Sequence, residues 1–146
     1  MITSNQRRIG TKGCLSAAKF GRPAATPVRF FALDFALMFT ASPRSSKMRN
    51  IESDPRVSIG VFAPMVGLAS SRGVQVFGEA VVVPDSHERF DHYWEAFRWE
   101  SEQVEQGRTP DDSPGAVVVV EATRMVYTEH WLRKSGFAPR QFWSAE

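Results

Sequence analysis

Ten consecutive residues, Thr40-Ala41-Ser42-Pro43-Arg44-Ser45-Ser46-Lys47-Met48-Arg49, hold the densest set of donors and cations in this sequence. The segment leaves an apolar run and enters a stretch with helical character, so Ser45, Ser46 and Lys47 fall at a first helical turn. Helix N-termini present unpaired backbone N–H groups and a partial positive charge. Two hydroxyls, an ammonium and neighbouring arginines added to that end make an anion site of phosphate size. The same residues would also serve as a plain serine cap with a solvated basic face behind it. The residues alone leave both readings open.

Other chemistry is sparse. His87, His92 and His130 are the only histidines, and no pair has the i, i+4 spacing of a helical metal site, so no metal centre is expected. Walker and dinucleotide glycine loops are missing, as is a Gly-x-Ser-x-Gly elbow. Asp111 and Asp112 sit in a Pro-rich stretch and read as turn formers rather than an acid–base pair. No side chain is assigned a catalytic role. Cys14, the single cysteine, cannot form an internal disulfide and is expected to be a buried, inert thiol in a reducing compartment.

The bulk numbers fit one soluble domain spanning 1–146. Hydrophobic residues make up 42% and charged residues 23% of 146. No apolar run approaches the roughly 20 residues that cross a bilayer. The first residues are polar and lack the apolar stretch of a secretory signal, so a cytoplasmic location is expected and no membrane partner. Net charge is +2, but Arg7, Arg8, Lys12, Lys19, Arg22 and Arg29 all precede the first acid, Asp34. Zinc-finger spacing, a helix-turn-helix signal and a dense Lys/Arg run are all lacking, which argues against nucleic acid.

The elements that must position the Thr40–Arg49 segment read mainly as strands. Cys14–Lys19 and Thr26–Leu33 flank the turn signal Phe20-Gly-Arg-Pro23, and Ala36–Ala41 follows Asp34. A short helix capped by Ser45 and Ser46 ends before Asp54-Pro55, because proline disfavours helical geometry in the residue before it. Arg56–Phe62 and Gly73–Val83 are strands, with Gly78 marking a bulge or close backbone approach. Asp85 and Glu88 pattern as a capping box opening a long helix whose Phe90, Tyr93, Trp94, Phe97 and Val104 form one packing face. Residues 107–115 are a loop. Ala116–Glu121 and Arg124–Thr128 are strand-like, and the aromatic, basic tail from Glu129 to Glu146 reads as irregular. Short turns between strands favour antiparallel pairing, and a closed barrel removes exposed edges.

From Gly21 to Val83, a little under half the chain, the sequence resembles the pyridoxamine 5'-phosphate oxidase-like superfamily of FMN-binding split barrels. The matching pieces are GRPAATPVRFF, LMFTA, SSKMRNIESDPRVSIGVF and SRGVQVFGEAVVV. RGVQVFGEAVVV and the closing VVVVEATRMVYTEHWLRKSGFAPRQFW are similar to a branch of small, poorly characterised proteins more than to the true oxidases. The resemblance implies a mainly β fold, a six-stranded antiparallel Greek-key split barrel with accessory helices.

It also implies FMN as cofactor, a flavin-dependent oxidoreductase acting on a small-molecule substrate, and a homodimer with flavin at the subunit interface. The flavin phosphate would be held by Thr40, Ser45, Ser46 and Lys47. The strand carrying Arg29, Phe30 and Phe31 would run beside the flavin, with Arg29 near the phosphate. Where the true oxidases have Arg-Gln, this chain has Arg72-Gly73, so the flavin contact is either absent or supplied by Gln75. Trp131, Phe137, Phe142 and Trp143 are too apolar for a free tail. They cover either the chain's own barrel or, with Trp143 foremost, the partner's flavin. Rival ligands within the same fold are a deazaflavin or haem; a third reading is a non-catalytic barrel with a degenerate site.

Overall fold

The computed structural model describes residues 11–19, 22–63, 72–96 and 115–146. Its elements are β1 (Thr11–Lys19), β2 (Arg22–Leu33), β3 (Ala36–Thr40), α1 (Ser46–Ser53), β4 (Arg56–Phe62), β5 (Arg72–Pro84), α2 (Phe90–Trp94), β6 (Ala116–Glu129), a 3-10 turn at His130–Ser135, and β7 (Arg140–Ser144). Every strand pairing is antiparallel, in the order β3-β2-β1-β4-β5-β6-β7. A further pairing of β3 with β6 closes six of the strands into a ring, which is the expected split barrel.

β6 organises the molecule. Its full length pairs with β5, and its other edge is shared end to end: β3 takes residues 117–121 and β7 takes 124–128. Val118 and Val120 face the barrel core with Phe30, Leu37, Phe39 and Ile59. Val117 and Val119 face the opposite side, where α2 covers them with Phe90 and Tyr93. A strand buried on both faces has no polar alternation, which explains the unbroken valine run.

At Phe77/Gly78 the β5–β6 register slips by one: Phe77 pairs with Arg124 and Gly78 with Ala122, leaving Thr123 extra. The expected close approach at Gly78 is real, since a Cβ there would meet the Glu121 carbonyl oxygen at 2.1 Å. The extra residue reverses the side chains, so Val120 points inward before the bulge and Met125 after it. One strand thus replaces the two expected at 116–121 and 124–128.

Two expectations need correction. The helix does not start at Asp85: β5 continues through Pro84, turns occupy residues 85–89, and α2 begins at Phe90. The Asp85 N–H donates to the Gly115 carbonyl rather than to Glu88 in a capping box. Its packing face is right as far as it is described, with Phe90 and Tyr93 buried and Trp94 half-buried; Phe97, Val104, Asp111 and Asp112 lie outside the described residues. The tail is not irregular, because β7 adds a strand to β6. Cys14 pairs across β1 with Pro27 and Gly60; its side chain lies outside the described set.

Candidate functional site

The segment from Thr40 to Arg49 crosses the end of the barrel between β3 and α1. Ser45 caps α1 in extended geometry, its hydroxyl oxygen accepting from the Met48 N–H at 3.3 Å. Met48 and Ile51 anchor the helix in the barrel core. The chain ends α1 at Asp54, where Pro55 follows and the Asp54 carboxylate accepts from the Arg56 backbone and guanidinium.

This anchoring fixes Lys47. The side chain is half-buried, and its Nζ lies 5.5 Å from the centroid of the Phe39 ring. Burial pushes the Lys47 ammonium below its ordinary value. Among the described residues no carboxylate lies within ion-pair distance of it. A partly desolvated cation with a ring for company is stabilised by an arriving anion. Ser46 is exposed one residue before it, and its hydroxyl accepts from Arg49 at 3.1 Å. Thr40 is exposed at the end of β3, beside Val117. The β2–β3 register, continued two residues past Phe31 and Met38, places exposed Arg29 opposite Thr40, with its guanidinium 5.7 Å from the Phe31 ring. Five of the nine expected contacts, Arg29, Thr40, Ser45, Ser46 and Lys47, are therefore set by the middle of β2, the end of β3 and the start of α1.

The other four behave differently. Phe30 is buried in the barrel core and Phe31 beneath α2, so contact from these positions falls to main-chain groups. Gln75 is exposed on β5 opposite Val126. Nine residues of β6 separate Val126 from Val117, roughly 30 Å at strand rise. Trp143 stacks on Phe35 of its own chain and packs against the barrel core. One chain alone does not bring Gln75 to the α1 end.

Gln75 instead lines a groove of about 530 Å3 on the outer face of the sheet, together with Phe62, Arg124, Arg140 and Phe142. Of these four only Phe142 was singled out from the sequence, as one of the tail aromatics expected to cover the barrel or the partner's flavin. Their signal is the β4–β5–β6–β7 register, which places positions far apart in the chain on one face.

A family model described as pyridoxamine 5'-phosphate oxidase matches residues 7–129, most of the barrel. The chain belongs to the pyridoxamine 5'-phosphate oxidase family. Solved structures with the same fold include the General Stress Protein 26 of Bacillus anthracis, 19% identical over 94% of this chain and 91% of that one, with a TM-score of 0.67. A heme binding protein from Mycobacterium smegmatis is 21% identical over 92% of this chain, with a TM-score of 0.70, and this chain spans 52% of it. A pyridoxamine 5'-phosphate oxidase-related FMN binding protein from Nostoc punctiforme is 16% identical over 92% of this chain and 79% of that one, at 0.62. At these identities the likeness is one of fold. No curated protein matches the chain.

For this oxidase-family chain, the donor set at α1 fits a phosphate group: hydroxyls at 40, 45 and 46, the first-turn N–H groups and an ammonium without a carboxylate partner among the described residues. Among the described residues, no three His, Cys, Asp or Glu side chains could share a metal ion. No described helix is long and apolar enough to cross a membrane.

Proposed function

We propose that this chain binds FMN and serves as a flavin-dependent oxidoreductase acting on a small molecule. The observation that carries the reading is Lys47: half-buried over Phe39, lacking a carboxylate among the described residues, and placed in the first turn of α1 behind the Ser45 cap. Lys47, Ser46 and Thr40 would hold the phosphate, Arg29 would add charge beside Thr40, and Ser45 would hold the helix end that presents them. When bound, the flavin supplies the redox chemistry, and the protein contributes binding, orientation and electrostatics. The pyridoxamine 5'-phosphate oxidase-related FMN binding protein from Nostoc punctiforme shares this fold, which supports flavin as the ligand class.

A homodimer belongs to the same proposal. Gln75 lies roughly 30 Å along β6 from the α1 end of its own chain, so a two-fold partner is the simplest way to bring a Gln75 to the flavin. A cytoplasmic setting is also part of it, since a single cysteine gives no internal disulfide that needs an oxidising compartment.

Adding FMN to the purified protein and removing free ligand by gel filtration tests the reading. The expected result is a flavin visible spectrum at one FMN per chain, eluting at dimer size. Retention of haemin with a Soret band, or of a deazaflavin, with no FMN retained would replace it. Retention of none of the three would leave a non-catalytic barrel.

A further inference from the structure

We propose that Asn50 is a further anion-binding residue of the α1 site, its carboxamide N–H donating to the same phosphate that Lys47 attracts. The inference rests on the phosphate part of the function proposed above. Among the described residues Asn50 is the one amide or charged side chain that is buried, with 7% of its surface exposed. Its backbone carbonyl is used, accepting from the Asp54 N–H at 2.9 Å where α1 ends. The carboxamide itself has no hydrogen-bond partner among the described residues. Buried polar groups are nearly always paired, because stripping water from an amide is costly when nothing replaces it. An orphan of this kind calls for a use that outweighs its cost.

The helix places that orphan beside the ligand site. Ser46, Arg49, Glu52 and Ser53 are exposed, whereas Met48, Asn50 and Ile51 are buried and Lys47 is half-buried. Two pairs at i, i+3 spacing therefore differ. On the outer face Ser46 and Arg49 bond to each other at 3.1 Å. On the inner face Lys47 and Asn50 have the same spacing, and neither side chain has a hydrogen bond among the described residues. Side chains on a helix lean toward its N-terminus, so the Asn50 carboxamide lies over the turn that carries Lys47 and the first free N–H groups. Met48 and Ile51, anchored in the barrel core, hold this part of the helix in place. A carboxamide offers donors and an acceptor together. With its N–H on a phosphate oxygen, its carbonyl oxygen can accept from the Lys47 ammonium. One anion then completes both groups, which a neutral or cationic ligand does not do.

Labelling only asparagine with an NMR-visible nitrogen isotope reads the contact directly, since Asn5 and Asn50 are the only asparagines in the chain and Asn50→Asp identifies the Asn50 signals. FMN and, at higher concentration, inorganic phosphate should each move the Asn50 side-chain signals, while riboflavin leaves them in place. Asn50→Leu fills nearly the same space without the amide. It should melt no lower than the natural chain and bind FMN about tenfold more weakly, with riboflavin affinity unchanged. FMN bound with the Asn50 signals unmoved would overturn the inference and leave the flavin reading standing. So would an Asn50→Leu chain that loses stability but keeps its preference for FMN over riboflavin, the mark of a purely structural amide. Signals that respond to neither FMN nor phosphate would likewise overturn it. Movement with inorganic phosphate but no retention of FMN would count against the function proposed above and leave this contact standing.

Discussion

Phe35 and Trp143 stack with ring centroids 5.0 Å apart and planes 7° from parallel, joining the β2–β3 turn to the last strand. The contact follows from how β6 is shared. β3 ends its pairing at Glu121 and β7 begins at Arg124, so the turn before β3 and the end of β7 meet over the bulge. The Ala122 N–H donates to the Phe35 carbonyl and the Ala145 N–H to the Thr123 carbonyl, fixing both approaches. Asp34, at φ 51°, supplies the left-handed residue that this two-residue turn needs. Trp143 therefore covers its own barrel, while Phe142 on the next position faces outward.

That stack should register as coupling. Phe35→Ala and Trp143→Ala should each lower stability, and a double-mutant cycle in denaturant should return about 0.5–1.5 kcal/mol of interaction. Strict additivity would mean the two rings do not support one another.

Gly78 offers a harsher test of the bulge. With the Glu121 carbonyl oxygen 2.1 Å from an added Cβ, Gly78→Ala should cost about 3 kcal/mol or more, or abolish folding. Gly136, at φ 80° with open space around it, is the control: alanine there should cost only about 1 kcal/mol of backbone strain. Similar melting curves for the two variants would contradict the assigned register.

Ser45 separates helix capping from ligand binding. Ser45→Ala should destabilise by about 1 kcal/mol through loss of the bond to the Met48 N–H. Ser45→Asp restores a capping acceptor, so stability should return to within a few tenths of a kcal/mol. Its carboxylate would repel a phosphate, so FMN affinity should fall even though the helix is intact. Undiminished FMN binding in Ser45→Asp would place the phosphate elsewhere.

Acid stability should carry a contribution from Asp54. The bonds from the Arg56 guanidinium and backbone hold this carboxyl at about 2, below its ordinary 3.8. Between those values the unfolded chain binds the extra proton, so stability rises with pH there and this contribution is lost as pH falls from about 4 toward 2. Denaturation followed over that interval should be shallower in Asp54→Asn than in the natural chain. Because Arg56 is exposed, the difference should be small and should shrink in high salt.

Much of this architecture was legible locally. Ser45 and the Asp54-Pro55 pair bound α1, Arg56–Phe62 alternates as β4, and Gly78 marks the bulge because no side chain fits against Glu121. What escaped is tertiary. The bulge at Thr123 reverses side-chain parity in mid-strand, so one strand reads as two. Turn bonds from the His87 N–H to the Pro84 carbonyl and from the Phe90 N–H to the His87 carbonyl occupy residues 85–89, so the helix begins at Phe90. β7 is a five-residue strand whose reason to exist is the β6 edge left over by β3. The residues near Lys47 were readable because capping is local chemistry. The groove containing Phe62, Arg124 and Phe142 was not, because only the barrel register assembles it.

The central claim is that Lys47 reads a flavin phosphate, and the affinity ratio of FMN to riboflavin in the natural chain and in Lys47→Ala tests it most directly. The natural chain should prefer FMN, and Lys47→Ala should weaken FMN by roughly tenfold or more while leaving riboflavin almost unchanged, as loss of a charge-assisted bond requires. Equal losses for the two ligands, or no loss for either, would contradict it.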